Sequence, residues 1–233
     1  MDDARLCFIM TAVATPADVF AARQRLDGAI LRTPCVASPP LSAATGCEIF
    51  LKLEYLQRTG SFKERGACNA LLQLDADARR RGVIAASAGN HALALAYHGS
   101  RLGIPVTVVM PTFAPLVKQA RCRELGAEVL LSGGNVTEAK VMADELVASR
   151  GLSYVHGFDG AEVIAGQGTI GFEIVEQVPD LAAIICPIGG AGLIAGIGLA
   201  LEEIGSDVEL LGVEPARAAS YRAALEAGRP VRI

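Results

Sequence analysis

Lys63 stands in the stretch TGSFKERGA, residues 59–67, among small and aromatic neighbours where a helix is about to begin. Ser61 and Glu64 have the spacing of a capping box, in which the serine accepts from the third residue's N–H and the carboxylate reaches back. Ala67, Leu71 and Leu74 follow at helical spacing, and Arg79, Arg80 and Arg81 precede Gly82 at the far end. Lys63 therefore falls in the first helical turn, at the positive end of the macrodipole, which disfavours an ammonium. An amine kept neutral is a nucleophile toward a carbonyl carbon, and a base once it is released.

Two further loops have chemistry of their own. IICPIGGAGLIAG runs from an apolar strand through Gly189, Gly190, Ala191, Gly192 and Leu193 into a helix. Such a turn lets backbone N–H groups face an anion, and the helix dipole adds attraction, so a phosphate is its natural guest. Gly190, Gly192 and Ala195 also satisfy G-x-G-x-x-A, with Glu214 ending the next strand, so this segment alone fits a nicotinamide or flavin nucleotide as well. SAGNHA, residues 87–92, follows a short strand and leads into another helix; its small residues expose donors suited to a carboxylate. Asn90 offers an amide for a neutral or phenolic oxygen, although Asn90 and His91 could equally cap their own helix.

The elements that position these loops alternate. CEIFLKLEY (47–55) reads as a strand, and further strands are expected at 83–87, 105–111, 128–132, 153–158, 181–188 and 208–214. Helical patterns lie at 90–102, 114–125, 137–150, 162–178, 192–204 and 216–227, with an earlier helix opened by Thr15, Pro16 and Asp18 and closed near Gly28. The alternation predicts an α/β protein with parallel sheets and flanking helices, whose ligands sit beyond the strand C-termini. All three loops lie at such ends.

Composition narrows the class. With 233 residues, 52% of them hydrophobic, and 25 glycines, the chain has ample material for buried strands and close turns. Its net charge of −4 gives no basic surface for nucleic acid, and no uninterrupted apolar stretch would span a membrane. Six scattered cysteines without C-x-x-C spacing read as reduced thiols in a cytoplasmic protein. The opening run MDDARLCFIMTAVA imitates a secretory leader, but two aspartates against one arginine argue against it. No histidine pair has metal-ligand spacing.

A nicotinamide site has no use for Lys63. Pyridoxal phosphate requires a lysine for its aldehyde, a phosphate cradle and a polar partner for its phenolic oxygen, and the three loops supply one of each. TGSFKERGACNAL, SAGNHALALA, AGQGTIGFEI and CPIGGAGLIAGI together resemble the fold-type II pyridoxal-phosphate enzymes, and among them the serine/threonine dehydratases. The resemblance runs through essentially the whole chain in the family's order. It implies a tryptophan-synthase-β-like architecture, with a small domain at 82–150 inserted into a large domain formed by 1–81 and 151–233. It implies that Lys63 holds the cofactor covalently, that Phe62 lines the pocket, and that Asn90 contacts the phenolic oxygen. Gly189, Gly190, Ala191, Gly192 and Leu193 would wrap the phosphate, and Ser87, Ala88, Gly89, Asn90 and His91 would surround the substrate carboxylate. The implied reaction is β-elimination from L-threonine or L-serine to a 2-oxo acid and ammonia, in a dimer or other homo-oligomer.

Departures from the family pattern set the alternatives. A serine racemase has a serine at position 88, able to act as a second base, whereas Ala88 carries no proton there. The cation site of some relatives matches Glu214 and Ala218 in position, but Ser220 stands for its aspartate, leaving the site unsupported. Ala191 replaces a glycine, and Gly157 follows His156 where proline is usual. The chain stops at GRPVRI, before the family segment that carries a second glycine-rich turn and a serine or cysteine facing the pyridine nitrogen. The expectations are therefore a dehydratase, a weakened or non-catalytic cofactor-binding remnant, a racemase-like enzyme, or a nicotinamide-dependent oxidoreductase.

Overall fold

Thr15 opens the first helix as its residues predict. Its side chain accepts from the Asp18 N–H, and the Asp18 carboxylate accepts from the Thr15 N–H at 2.9 Å, which fixes α1 (Pro16–Arg25). The structure is a computed structural model and describes residues 13–229 and 231; most of the leader-like run and Cys7 lie outside them. A short antiparallel pair follows, β1 (Cys35–Ala37) with β2 (Phe50–Lys52), linked through α2 (Pro39–Thr45). The strand expected over 47–55 is shorter than its alternation suggests. After Leu53 the chain turns through a 3-10 segment, Glu54–Leu56, because the Glu54 carboxylate is drawn to Thr33 and to the buried Arg65 guanidinium.

The helix expected from 63 to 81 is two helices. The first, α3 (Lys63–Leu72), gives way to α4 (Ala76–Arg81), whose start is capped by Asp75 accepting from the Ala78 N–H at 2.7 Å. The arginine triplet closes α4, where cations suit the negative end of the dipole.

Next come β3 (Val83–Ala86), α5 (Asn90–Leu102), β4 (Val106–Met110), α6 (Leu116–Glu124), β5 (Glu128–Leu131), α7 (Val136–Arg150) and β6 (Ser153–Tyr154). Their strands form one parallel sheet in the order β5-β4-β3-β6. Side chains alternate across it as the strand period requires. Val83, Ala85, Val106 and Val108 share a core with α3 and α5, whereas Ile84 and Val109 pack with Ala139 and Ala143 of α7. The strand expected over 153–158 pairs only through Tyr154. Beyond it, His156 Nδ1 accepts from the N–H groups of Phe158 and Asp159, at 3.3 and 2.9 Å, and turns the chain out of the sheet.

The remaining elements are α8 (Ala161–Gln177), β7 (Ala183–Pro187), α9 (Gly192–Glu203), β8 (Glu209–Val213) and α10 (Ser220–Ala227), with β7 and β8 parallel. The helix expected over 216–227 begins as a separate 3-10 turn, Ala216–Ala218. Helix α8 is central, packed against α1, α3 and α9. Glycines would weaken a free helix by about 1 kcal/mol each, yet here they permit contact: a Cβ at Gly166 would strike the Arg65 carbonyl, and one at Gly168 the backbone of Gly196. The AGQGTIG stretch thus sets how closely the helix bearing Lys63 approaches its neighbours.

Candidate active site

Helix α3 begins at Lys63, but the expected capping box does not form. The residue before it, Phe62, already has helical backbone angles and gives no side-chain cap. Ser61 Oγ accepts from the Lys63 N–H at 3.3 Å, while the Glu64 carboxylate passes over Ser61 and accepts from the Thr59 N–H. Glu64 is fully buried, so its position follows from its tertiary surroundings rather than from the local capping pattern.

The Lys63 side chain is largely withdrawn from water. Burial lowers its pKa, so the neutral amine is more accessible than for a free lysine. Its Nζ donates to the Gly157 carbonyl at 2.5 Å and lies 5.0 Å from the centre of the Phe62 ring. No carboxylate pairs with it among the described residues.

Opposite Lys63 lies the loop between β3 and α5. Ser87, Ala88, Gly89, Asn90 and His91 line the same cavity as Lys63, with a volume of about 690 Å³. Asn90 and His91 do not cap α5: the cap position is Gly89, without a side-chain bond. Asn90 Oδ1 accepts from Lys118 Nζ at 3.1 Å, and because an ammonium only donates, this contact fixes the amide with its NH₂ left free. His91 is buried and bonds the Val155 carbonyl through Nε2 at 3.0 Å, which leaves Nδ1 unprotonated and without a partner. Burial pushes its imidazole down to about 4.

That depression has a pH consequence. The unfolded chain takes up a proton at His91 near pH 6.5, while the folded chain resists until about 4, so stability is lost as pH falls through this window. Urea unfolding at pH 7 and pH 4 should show a loss about 3 kcal/mol larger in the parent than in His91→Gln. Equal losses would place His91 in a wetter setting.

The glycine turn sits at the start of α9. Among the described residues, the N–H groups of Gly189, Gly190, Ala191, Gly192 and Leu193 donate to no protein acceptor. Together with the helix dipole they form the donor set that a phosphate needs. A Cβ on Gly190 would collide with the Phe158 ring, and one on Gly192 with the Phe158 carbonyl, so only glycine fits at either position. Ala191 adopts φ 63, the left-handed region that disfavours a side chain by about 1–2 kcal/mol. Ala191→Gly is therefore expected to raise unfolding free energy by about 1 kcal/mol, checked by urea titration; an unchanged or lower value would contradict the strain.

Phe158 connects the two halves. It follows the carbonyl that holds Lys63, it packs on the glycine turn, and it lines the Lys63 cavity. Phe62 and Leu193 also pack against one core cluster formed by Ile170, Ile184 and Ile197. The turn itself does not line the 690 Å³ cavity. Several lining residues were not legible as site residues in the sequence: Val136, Thr137, Lys140, Tyr154 and His156, and Lys118 behind Asn90. Only the parallel pairing of β6 with β3 brings 154–158 beside Ser87, and no local motif announces it.

Glu214 does something other than await a cation. Its two carboxylate oxygens accept from the N–H groups of Tyr221 and Arg222, each at 2.9 Å, at the start of α10. Among the described residues no cluster of histidine, cysteine and carboxylate side chains could hold a metal.

The donor set fits pyridoxal phosphate: a half-buried amine whose pKa burial lowers, a free amide NH₂ and an N–H turn with no protein acceptor among the described residues. Known proteins agree. The L-threonine ammonia-lyase of Thermotoga maritima is 44% identical over 216 residues, 93% of this chain and 54% of that protein's length. Threonine deaminase isoform 2 of Solanum lycopersicum superposes with a TM-score of 0.89 at 37% identity, covering 97% of this chain and 68% of that one. Maize serine racemase gives 0.91 at 32% identity, covering 95% and 68%. The chain thus spans about half the length of the first of these relatives. No helix among the described residues is long and apolar enough to cross a membrane. Residues 26–233 match the family described as pyridoxal-phosphate dependent enzyme, and the chain belongs to that family.

Proposed function

We propose that the protein is a pyridoxal-phosphate-dependent ammonia-lyase acting on L-threonine, L-serine or both. The observation that carries this reading is the half-buried Lys63 amine, without a carboxylate partner among the described residues, facing the 87–91 loop across one cavity. Lys63 holds the cofactor, the N–H groups of 189–193 take its phosphate, the Asn90 NH₂ meets its phenolic oxygen, and Phe62 bounds the pocket. Pyridoxal phosphate supplies the electron sink that makes a Cα proton removable. Lys63 Nζ would take that proton once the substrate's amine has displaced it, and burial, by lowering its pKa, favours the unprotonated form over that of a free lysine. The loop formed by Ser87, Ala88, Gly89, Asn90 and His91 receives the substrate carboxylate at the N-terminus of α5 through the N–H groups of Ala88, Asn90 and His91, since that of Ser87 is taken by the Val109 carbonyl at 3.0 Å and that of Gly89 by Ser87 Oγ at 3.3 Å; this orients Cα toward the amine. The Tyr154 and Phe158 rings flank His156 along the cavity wall. The β-hydroxyl would leave as water, the proton it gains balancing the one taken from Cα, and the resulting enamine hydrolyses to the 2-oxo acid and ammonia.

The nicotinamide alternative uses only 189–195 and leaves Lys63 and the 87–91 loop without roles. Racemisation needs a proton donor on the second face, and Ala88 offers none. The reading also takes a small domain near 82–150, built on β3, β4 and β5, as inserted in a large one from 1–81 and 151–233, with β6 joining that sheet from just beyond the boundary. It takes the protein as cytoplasmic, as its scattered free cysteines suit, and as a homo-oligomer. The test is incubation of the full chain and cofactor with L-threonine or L-serine. A 2-oxo acid and equimolar ammonia are expected. D-serine without 2-oxo acid would favour racemisation, and cofactor binding without either product would leave a non-catalytic remnant.

A further inference from the structure

Helix α5 carries a histidine that the proposed chemistry does not use. His98 is 2% exposed, two turns beyond the carboxylate-binding loop, and its Nε2 lies 3.3 Å from Glu64 Oε2. Among the described residues neither atom has an aligned hydrogen-bond partner, and the two face each other beside the apolar residues that α3 and α5 share. Glu64 itself follows Lys63, and its other oxygen accepts from the Thr59 N–H, at the start of the loop that delivers Lys63. One carboxylate thus contacts the lysine loop, the lysine helix and the helix of the carboxylate loop.

Burial by itself raises a carboxyl's pKa, yet Glu64 is held below its ordinary value by His98 and Thr59 and remains ionised. Other groups near it are Cys68, one turn along α3, whose thiol is pushed up to about 12 and stays neutral, and Tyr97, whose ring meets that of His98 edge-on at 4.9 Å. A buried charge resists losing a polar partner, because any shift of α3 relative to α5 would take His98 away and leave the carboxylate with Thr59 alone.

We propose that Glu64 and His98 are positioning residues, a buried contact that sets the Lys63 amine against the 87–91 loop. The inference rests on the function proposed above. The pair touches neither substrate nor cofactor; it acts through Lys63 and Asn90. Misplacement of reacting groups by about 1 Å costs on the order of a hundredfold in reaction efficiency, so a loosened pair should weaken amino-acid engagement more than it weakens the fold.

The experiment titrates the cofactor-loaded full chain with L-serine and follows displacement of Lys63 by the change in cofactor absorbance. Urea unfolding is measured in parallel. Glu64→Gln, nearly isosteric, and His98→Leu are expected to keep the absorbance band and to raise the L-serine midpoint about tenfold. His98→Gln retains an N–H donor toward Glu64 and should restore the midpoint to within threefold of the parent. A purely structural pair would lower the urea midpoint and leave the L-serine midpoints of all three variants within threefold, which overturns the proposal. Should His98→Leu fail to fold, Glu64→Gln against His98→Gln decides on the same criterion. A parent chain that shows no band, or no response to L-serine, would overturn the proposed function and this inference with it; a responsive parent with unmoved variants overturns the pairing alone.

Discussion

Lys63→Ala should abolish 2-oxo acid formation from L-threonine and L-serine and remove the cofactor's lysine-linked absorbance band. Both effects follow from one atom. The amine is half-buried, bonded only to the Gly157 carbonyl among the described residues, and has its pKa lowered by that partial burial. Alanine keeps the helix, since it is the better helix former, so the fold should survive with an unfolding midpoint near the parent's. The N–H groups of 189–193 are untouched, so phosphate anchoring persists and the cofactor should still bind, more weakly and reversibly. Lys63→Arg should be as inactive, because a guanidinium remains protonated and forms no such linkage. A variant that retained a tenth of the parent's rate would mean that another base, such as Lys140 or His156 in the same cavity, performs the proton transfer.

Two residues along α3, Arg65→Met should destabilise the protein by about 3–5 kcal/mol. The Arg65 guanidinium is fully buried, with Glu54 at 2.7 Å and Glu173 at 2.6 Å, and Lys52 meets Glu173 at 2.5 Å from the other side. The group holds two cations and two carboxylates and is nearly sealed from water. Burial would raise the Glu54 carboxyl, and the arginine beside it holds it below its ordinary value instead. Methionine fills part of the volume but leaves Glu54 with only the neutral donors Thr33 and Gln57 and Glu173 with Lys52, which is the costly way to break such a network. Arg65→Lys restores the charge without the planar fork that serves both partners, and should recover only part of the loss. Urea unfolding checks this; a loss below about 1 kcal/mol would mean that water enters the network readily.

The same stretch shows what the sequence could and could not reveal. The strands at 83–86 and 106–110 and the helix at 90–102 were legible, because continuous apolar runs and helical spacing coincide there with turn residues. The capping box at Ser61 was misread. Its spacing is right, but Glu64 is taken by Thr59 and His98, and a buried tertiary contact outweighs a local cap. The break between α3 and α4 is marked by Asp75, a recognisable cap that the unbroken run of alanines and leucines concealed. Lys63 and the 87–91 loop, which chemistry and resemblance singled out, do line one cavity, whereas the glycine turn at 189–193 does not line it. Lys118, Lys140, Tyr154 and His156 were not legible, because sheet register and helix packing bring them there across long sequence separations. Glu214 illustrates the reverse: a position suggestive of a cation site is used to start a helix.

The account stands on the covalent partner of the cofactor. Borohydride reduction of the loaded parent chain, followed by peptide mapping by mass spectrometry, reads that partner directly. The reduced cofactor is expected on the peptide containing TGSFKER, at Lys63 and at one equivalent per chain. Its appearance on Lys52, Lys118 or Lys140 instead, or the absence of any adduct after loading, would contradict the account.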